Sequence, residues 1–154
     1  MRQKILFFNN KKLKTAMNKK MKNYLNTDEL LNMSHIMSSD EDQPMVNDVY
    51  AALTPCGDLI IGLSHHDYDD PRRDCATWVK VKFAHAHRLA KRLGIGLLDL
   101  PSHISFCMSH WGDVVNADLD ETRDCLGEII DCLLDEKCDY SIHRTYGSGG
   151  YMAA

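Results

Sequence analysis

The chain has 154 residues, of which 44% are hydrophobic and 26% charged. This length and balance suit one globular domain with one core and leave little room for a second domain. No apolar run approaches the roughly 18 residues that cross a bilayer, and the apolar residues 5–8 are too few for a secretory signal. We therefore expect a cytoplasmic protein without a membrane partner. We also expect its six cysteines to be reduced thiols.

Charge is distributed unevenly along the chain. Residues 1–25 carry eight basic side chains and no acidic one, whereas residues 26–154 carry ten basic and 22 acidic side chains, a formal charge of −12. We predict a basic, disordered arm over residues 1–25 on an acidic body. One interpretation of the arm is a contact for nucleic acid or a membrane surface; the other, which we favour, is a disordered or untranslated leader. The translation start is ambiguous, because Met17 and Met21 are alternatives to Met1.

The elements predicted after the arm are a helix and a hairpin. Polar residues 26–29 offer an N-cap before a run of apolar residues, which predicts a short helix up to residue 36. Strands are predicted over residues 49–53 and 59–63. The turn between them contains Pro55 and Gly57, and this pattern is typical of a β-hairpin.

The second half of the chain is predicted to alternate helices and strands. Apolar residues at intervals of three and four predict a helix over residues 77–93, which Gly94 ends. Alternating apolar residues predict a half-buried strand over residues 103–110. A capping-box pattern at Asp118 precedes an amphipathic helix. The apolar face of that helix comprises Leu126, Ile129, Ile130 and Leu133.

The predicted order of elements favours an α+β domain. A last strand is expected over residues 140–146, followed by a Gly-rich tail over residues 147–154. We predict a single domain over residues 26–146. It has a mainly antiparallel sheet of three to four strands, with two or three helices packed on it.

A dense run of histidine and aspartate follows the second predicted strand. Imidazole and carboxylate groups are ligands of divalent metals, so this run could serve a small metal-dependent hydrolase or nuclease. The alternative is a solvated loop in which arginines pair with the aspartates, and we favour the loop. The candidate metal ligands are His65, His66, Asp67, Asp69 and Asp70.

Other catalytic signatures are weak or absent. His103, Cys107 and His110 would share one face of a helix and form half of a zinc site, but the predicted strand separates them. The chain has no nucleophile elbow, phosphate-binding loop or dinucleotide-binding glycine pattern. These absences favour a protein that is not an enzyme and has no cofactor.

The last predicted helix carries an acidic stripe at intervals of three and four residues. One interpretation is that the stripe contacts a basic surface that normally holds nucleic acid, so that the protein mimics nucleic acid. The other is that the acids only keep the domain soluble. We expect an inhibitor of a host defence complex that is encoded by a phage or plasmid. The sequence does not identify its partner or its oligomeric state, and a homodimer is one alternative. The acidic stripe comprises Asp120, Asp124, Glu128, Asp131 and Asp135.

Overall fold

The computed structural model describes residues 25–39, 44–112, 114 and 117–146, together with the backbone of residues 151–153. Apart from Leu25, the predicted basic arm lies outside these residues, as does the segment 147–150. The strands of the described part are β1 (Leu31–Ser38), β2 (Met45–Leu53), β3 (Leu59–Asp67), β4 (Cys75–Val81), β5 (Ser141–Tyr146) and β6 (Tyr151–Ala153). The α-helices are α1 (Phe83–Leu93), α2 (Leu100–Cys107) and α3 (Leu119–Asp135).

The strands form one antiparallel sheet in which each strand pairs with its neighbours in sequence, in the order β1-β2-β3-β4-β5-β6. The three helices are inserted between β4 and β5. The predicted α+β domain with an antiparallel sheet is confirmed. The predicted number of three to four strands is wrong, because the described residues contain five strands of six residues or more and the three-residue β6. β6 extends the sheet past the predicted boundary at residue 146.

β1 lies where the sequence pattern predicted a helix, so that prediction is wrong. The N-cap signal is used, since the Asn26 side chain accepts a hydrogen bond from the Asp28 N–H at 3.1 Å. This N-cap begins only a three-residue 3-10 turn and not the predicted helix. Residues 31–38 then pair with β2. Pairing with a neighbouring strand satisfies the backbone of this segment, and that outweighs a weak local preference for helix.

The predicted helix over residues 77–93 is partly a strand. Residues 75–81 form β4, which pairs with β3 on one side and β5 on the other. Val79 and Val81 are fully buried on the side covered by the helices. The true period of this segment is therefore two. Val79 and the later apolar residues have helical spacing, but they do not share a helix face because Val79 lies in β4.

α1 keeps the predicted end but begins later than predicted. Its first residue, Phe83, donates its backbone N–H to the Asp58 carboxylate at 2.8 Å. Gly94 ends the helix with a φ of 72°, and its N–H bonds back to the carbonyls of Ala90 and Lys91. Glycine adopts this left-handed conformation without the steric cost that other residues meet.

The predicted strand over residues 103–110 is wrong, because α2 and a following 3-10 turn occupy this segment. The buried apolar positions are Leu100 and Met108, with Ile104 packed between them against the core. These residues are spaced by four, which is a helical period. Phe106, which completed the apparent alternation, is 77% exposed.

α3 confirms its prediction in detail. The Asp118 carboxylate accepts the Glu121 N–H at 2.8 Å, and the Glu121 side chain reaches back to the Asp118 N–H, so that a full capping box is present. Leu126, Ile129 and Leu133 are buried in the core. Local signals were sufficient here because the cap and the apolar stripe agree.

We expect Gly127→Ala to stabilise the protein by about 0.5–1 kcal/mol. Gly127 lies within α3, and an added Cβ would meet no atom within 4 Å. Urea unfolding followed by circular dichroism measures the change. Gly94→Ala is the matched control, and we expect it to destabilise because of the positive φ of Gly94. A destabilised Gly127→Ala variant would contradict this prediction.

The two faces of the sheet carry separate apolar clusters. The larger cluster lies between the sheet and the helices and includes Val49, Ile61 and Val79. The smaller cluster lies on the opposite face, where Tyr50, Ala52, Ile60 and Trp78 are buried and Leu25 and Leu30 pack against them. We refer to this side as the second face. No helix within the described residues is long and apolar enough to cross a membrane.

Candidate functional site

The histidine and aspartate run lies at the end of β3 and in its connection to β4. His65 and Asp67 are each only 6% exposed, and strand alternation puts both on the face that the helices cover. His66 lies on the second face, where its Nδ1 is 3.3 Å from the Asp74 carboxylate. Asp69 is exposed. The predicted ligands therefore point in different directions.

The aspartates of this run form the turn. Asp67 Oδ1 accepts the N–H groups of Asp69 and Asp70 at 3.0 and 3.1 Å. Asp70 bonds to both the backbone and the guanidinium of Arg72, which lowers the pKa of the Asp70 carboxyl. No group of three histidine, cysteine or acidic side chains in the described part of the chain is arranged to hold a metal ion. The aspartates of this run contact the turn itself, and Asp70 also pairs with Arg72.

His65 has a structural partner. Its Nδ1 lies 2.6 Å from Asn47 Oδ1, and the Asn47 amide donates to the Ala117 carbonyl at 2.9 Å. Asn47 is 3% exposed. The three residues connect β2, β3 and the segment that enters α3. A histidine that could have been a ligand therefore connects the sheet to the helical layer.

The second group of histidines and cysteines is only partly brought together. Cys107 Sγ lies 3.6 Å from His103 Nε2, as the helix now places them on one face. His110 contacts Glu128 instead, with its Nε2 3.1 Å from Oε1. The three residues considered above as a zinc half-site are therefore divided between two contacts.

The acidic stripe lies on the side of α3 that faces away from the core. Asp120, Asp124, Asp131 and Asp135 are exposed. Among the described residues, the only lysine or arginine within 4.0 Å of a stripe carboxylate is Arg123, which lies 4.0 Å from Asp120. The stripe is thus a surface with an uncompensated negative charge.

Glu128 differs from the other members of the stripe. Its carboxylate accepts hydrogen bonds from the Trp111 indole and from His110. The Trp111 hydrogen bond, followed by that from His110, lowers the pKa of the Glu128 carboxyl. Glu128 is half-buried and connects the turn after α2 to α3, so it has a structural role that the spacing alone did not predict.

A cavity of about 440 Å³ opens on the second face. Tyr50, Gly62 and Trp78 lie side by side in the register of β2, β3 and β4. A Cβ on Gly62 would overlap the Tyr50 ring, so glycine leaves the space that this ring fills. Tyr50 and Trp78 line the cavity. The one sequence signal for it is the glycine inside a strand, which often marks a close approach.

No protein-family model, curated protein or solved structure matches this chain. The functional proposal therefore depends on the charge and geometry of the sites described above.

Proposed function

We propose that this protein is a non-enzymatic binding module whose acidic stripe docks on a basic surface of a nucleic-acid-handling protein. By occupying that surface it keeps nucleic acid away and inhibits the partner. An accessory protein of a phage or plasmid, directed against a host defence complex, would act in this way. The observation that carries the proposal is the row of exposed, largely unpaired carboxylates along one side of α3.

The spacing of the stripe suits a surface that binds phosphates. Neighbouring members are three or four residues apart, which is about 4.5–6 Å along a helix. A DNA strand presents one phosphate per roughly 3.4 Å of axis. The stripe therefore offers a row of closely spaced negative charge on a rigid element, which side chains that hold phosphates can also contact.

The stripe also has an energetic cost that a partner would relieve. Like charges three or four residues apart on a helix destabilise it by a few tenths of a kcal/mol each. Between residues 118 and 139 the chain has nine acidic and two basic side chains. A basic partner would neutralise this repulsion, and complementary charge would also accelerate association.

Reversing the charge of three exposed stripe residues tests the proposal. We expect the triple variant Asp124→Lys, Asp131→Lys and Asp135→Lys to fold normally, because these side chains are exposed. We expect it to bind the partner at least about a hundredfold more weakly. The measurement has two steps: capture of proteins on the immobilised wild-type chain, then biolayer interferometry with each purified partner.

The matched control reverses three exposed acids elsewhere, through Asp28→Lys, Glu29→Lys and Asp69→Lys. It changes the net charge equally, so retained binding in the control assigns the effect to the stripe. Duplex DNA should displace the captured partner, because the two ligands use one surface. Undiminished binding by the stripe variant, or a partner that holds DNA and this protein together, would refute nucleic-acid mimicry.

A further inference from the structure

The cavity on the second face combines a ligand-sized volume with a mixed lining. Its volume of about 440 Å³ falls in the range of roughly 300–1,000 Å³ that is usual for small-molecule sites. Leu25, Met33 and Trp78 contribute apolar surface. The Trp78 ring is stacked on His143, with ring centroids 5.5 Å apart. The cavity is therefore partly preformed by packed side chains.

The charged groups that line the cavity are carboxylates. Asp48 and Asp74 both line it, and none of the described lining residues is a lysine or arginine. Asp48 Oδ1 lies 3.0 Å from His35 Nδ1 and accepts the Ser38 hydroxyl at 2.9 Å. Asp74 is bonded by His66 and by a backbone N–H. None of these partners is a permanent cation, so the described part of the lining carries excess negative charge.

Tyr50 gives a second, independent indication of a ligand. The residue is 6% exposed, yet its hydroxyl makes no hydrogen bond with any residue that the structure describes. No fully buried polar side-chain atom in that part of the chain lacks a partner, so the hydroxyl must reach the open space of the cavity. Burial, reinforced by the charge of Asp48, raises the pKa of Tyr50 to about 12. The hydroxyl is thus a protonated donor.

We propose that this cavity binds a small organic cation that carries a quaternary ammonium group and a hydroxyl, whose oxygen accepts a hydrogen bond from the Tyr50 hydroxyl. The carboxylates of Asp48 and Asp74 supply the opposite charge, and the rings of Tyr50 and Trp78 supply aromatic surface. The carboxylates attract such a cation by their charge, and the aromatic rings attract it through the negative faces of their π-systems. This site is separate from the acidic stripe and does not depend on the proposed function.

Choline and its neutral isostere 3,3-dimethyl-1-butanol provide a direct test. The chain has two tryptophans, so Trp111→Phe leaves Trp78 as the only indole. We expect choline to change the Trp78 fluorescence with a saturable curve at constant ionic strength. We expect the isostere, which has the same shape without the charge, to bind at least about tenfold more weakly.

Asp48→Asn should weaken choline binding by about tenfold, and Asp99→Asn, which removes an exposed charge outside both the cavity and the acidic stripe, should leave it unchanged. Circular dichroism checks that each variant folds, and Asp74→Asn replaces Asp48→Asn if the latter does not. Two results would overturn the proposal. One is equal binding of choline and the isostere, and the other is the absence of a saturable change with choline in the Trp111→Phe chain.

Discussion

Asn47→Ala is expected to destabilise the protein by about 2–4 kcal/mol, since each buried polar group left without a partner costs about 1–3 kcal/mol. The Asn47 side chain satisfies His65 through its oxygen and the Ala117 carbonyl through its nitrogen. All three residues are nearly inaccessible to solvent, so the substitution leaves two buried polar groups without their partner. Urea unfolding, followed by circular dichroism, measures the loss.

Asn26→Ala is the matched control for this substitution. The Asn26 side chain also makes a hydrogen bond, to the Asp28 N–H, but it is exposed and begins only a 3-10 turn. We expect this variant to lose less than about 1 kcal/mol. Equal losses of stability in the two asparagine variants would show that the buried hydrogen bonds of Asn47 do not stabilise the connection between the sheet and the segment before α3.

Gly62→Ala is expected to destabilise the protein by about 1–3 kcal/mol, although alanine is normally better than glycine within a strand. The added methyl group would overlap the Tyr50 ring and its hydroxyl. Gly62 lies in β3 between two paired strands, so the backbone cannot easily move away. The ring must leave its position, and apolar contacts of the second face are lost with it. Thermal and urea unfolding measure the effect.

A double-mutant cycle identifies the clash as the cause. Tyr50→Ala alone removes a large buried ring and should cost about 3–5 kcal/mol. In that background Gly62→Ala no longer meets the ring, so its cost should fall by at least about 1 kcal/mol. Equal costs of Gly62→Ala in both backgrounds would show that another contact is responsible. Gly127→Ala, the same change in open space, should have the opposite sign.

The acidic stripe and the cavity differ in how far the sequence predicts them. The stripe lies on a single helix, so the spacing of its residues was sufficient to place four exposed carboxylates on one side of α3. The role of Glu128 was not predictable, because its partner Trp111 lies outside that helix. The cavity draws Asp48, Trp78 and Thr145 from three separate strands. No local pattern predicts which residues strand pairing will place side by side.

The sequence by itself determined the elements whose signals are local. The capping box and apolar stripe of α3, the hairpin of β2 and β3, and the glycine that ends α1 each depend on residues within one or two turns. These interactions form within a short segment, so the rest of the chain does not change them. Uneven charge likewise predicted an acidic body.

Only the tertiary structure decided the elements with competing local preferences. The residues of β1 and β4 have apolar spacings that also fit a helix, and pairing with the neighbouring strands makes them strands. In α2 and at the residue after it, Leu100, Ile104 and Met108 face the core, so the segment has a period of four and not the apparent period of two. Short apolar segments have small intrinsic preferences, so burial and backbone pairing supplied by the rest of the chain select their conformation.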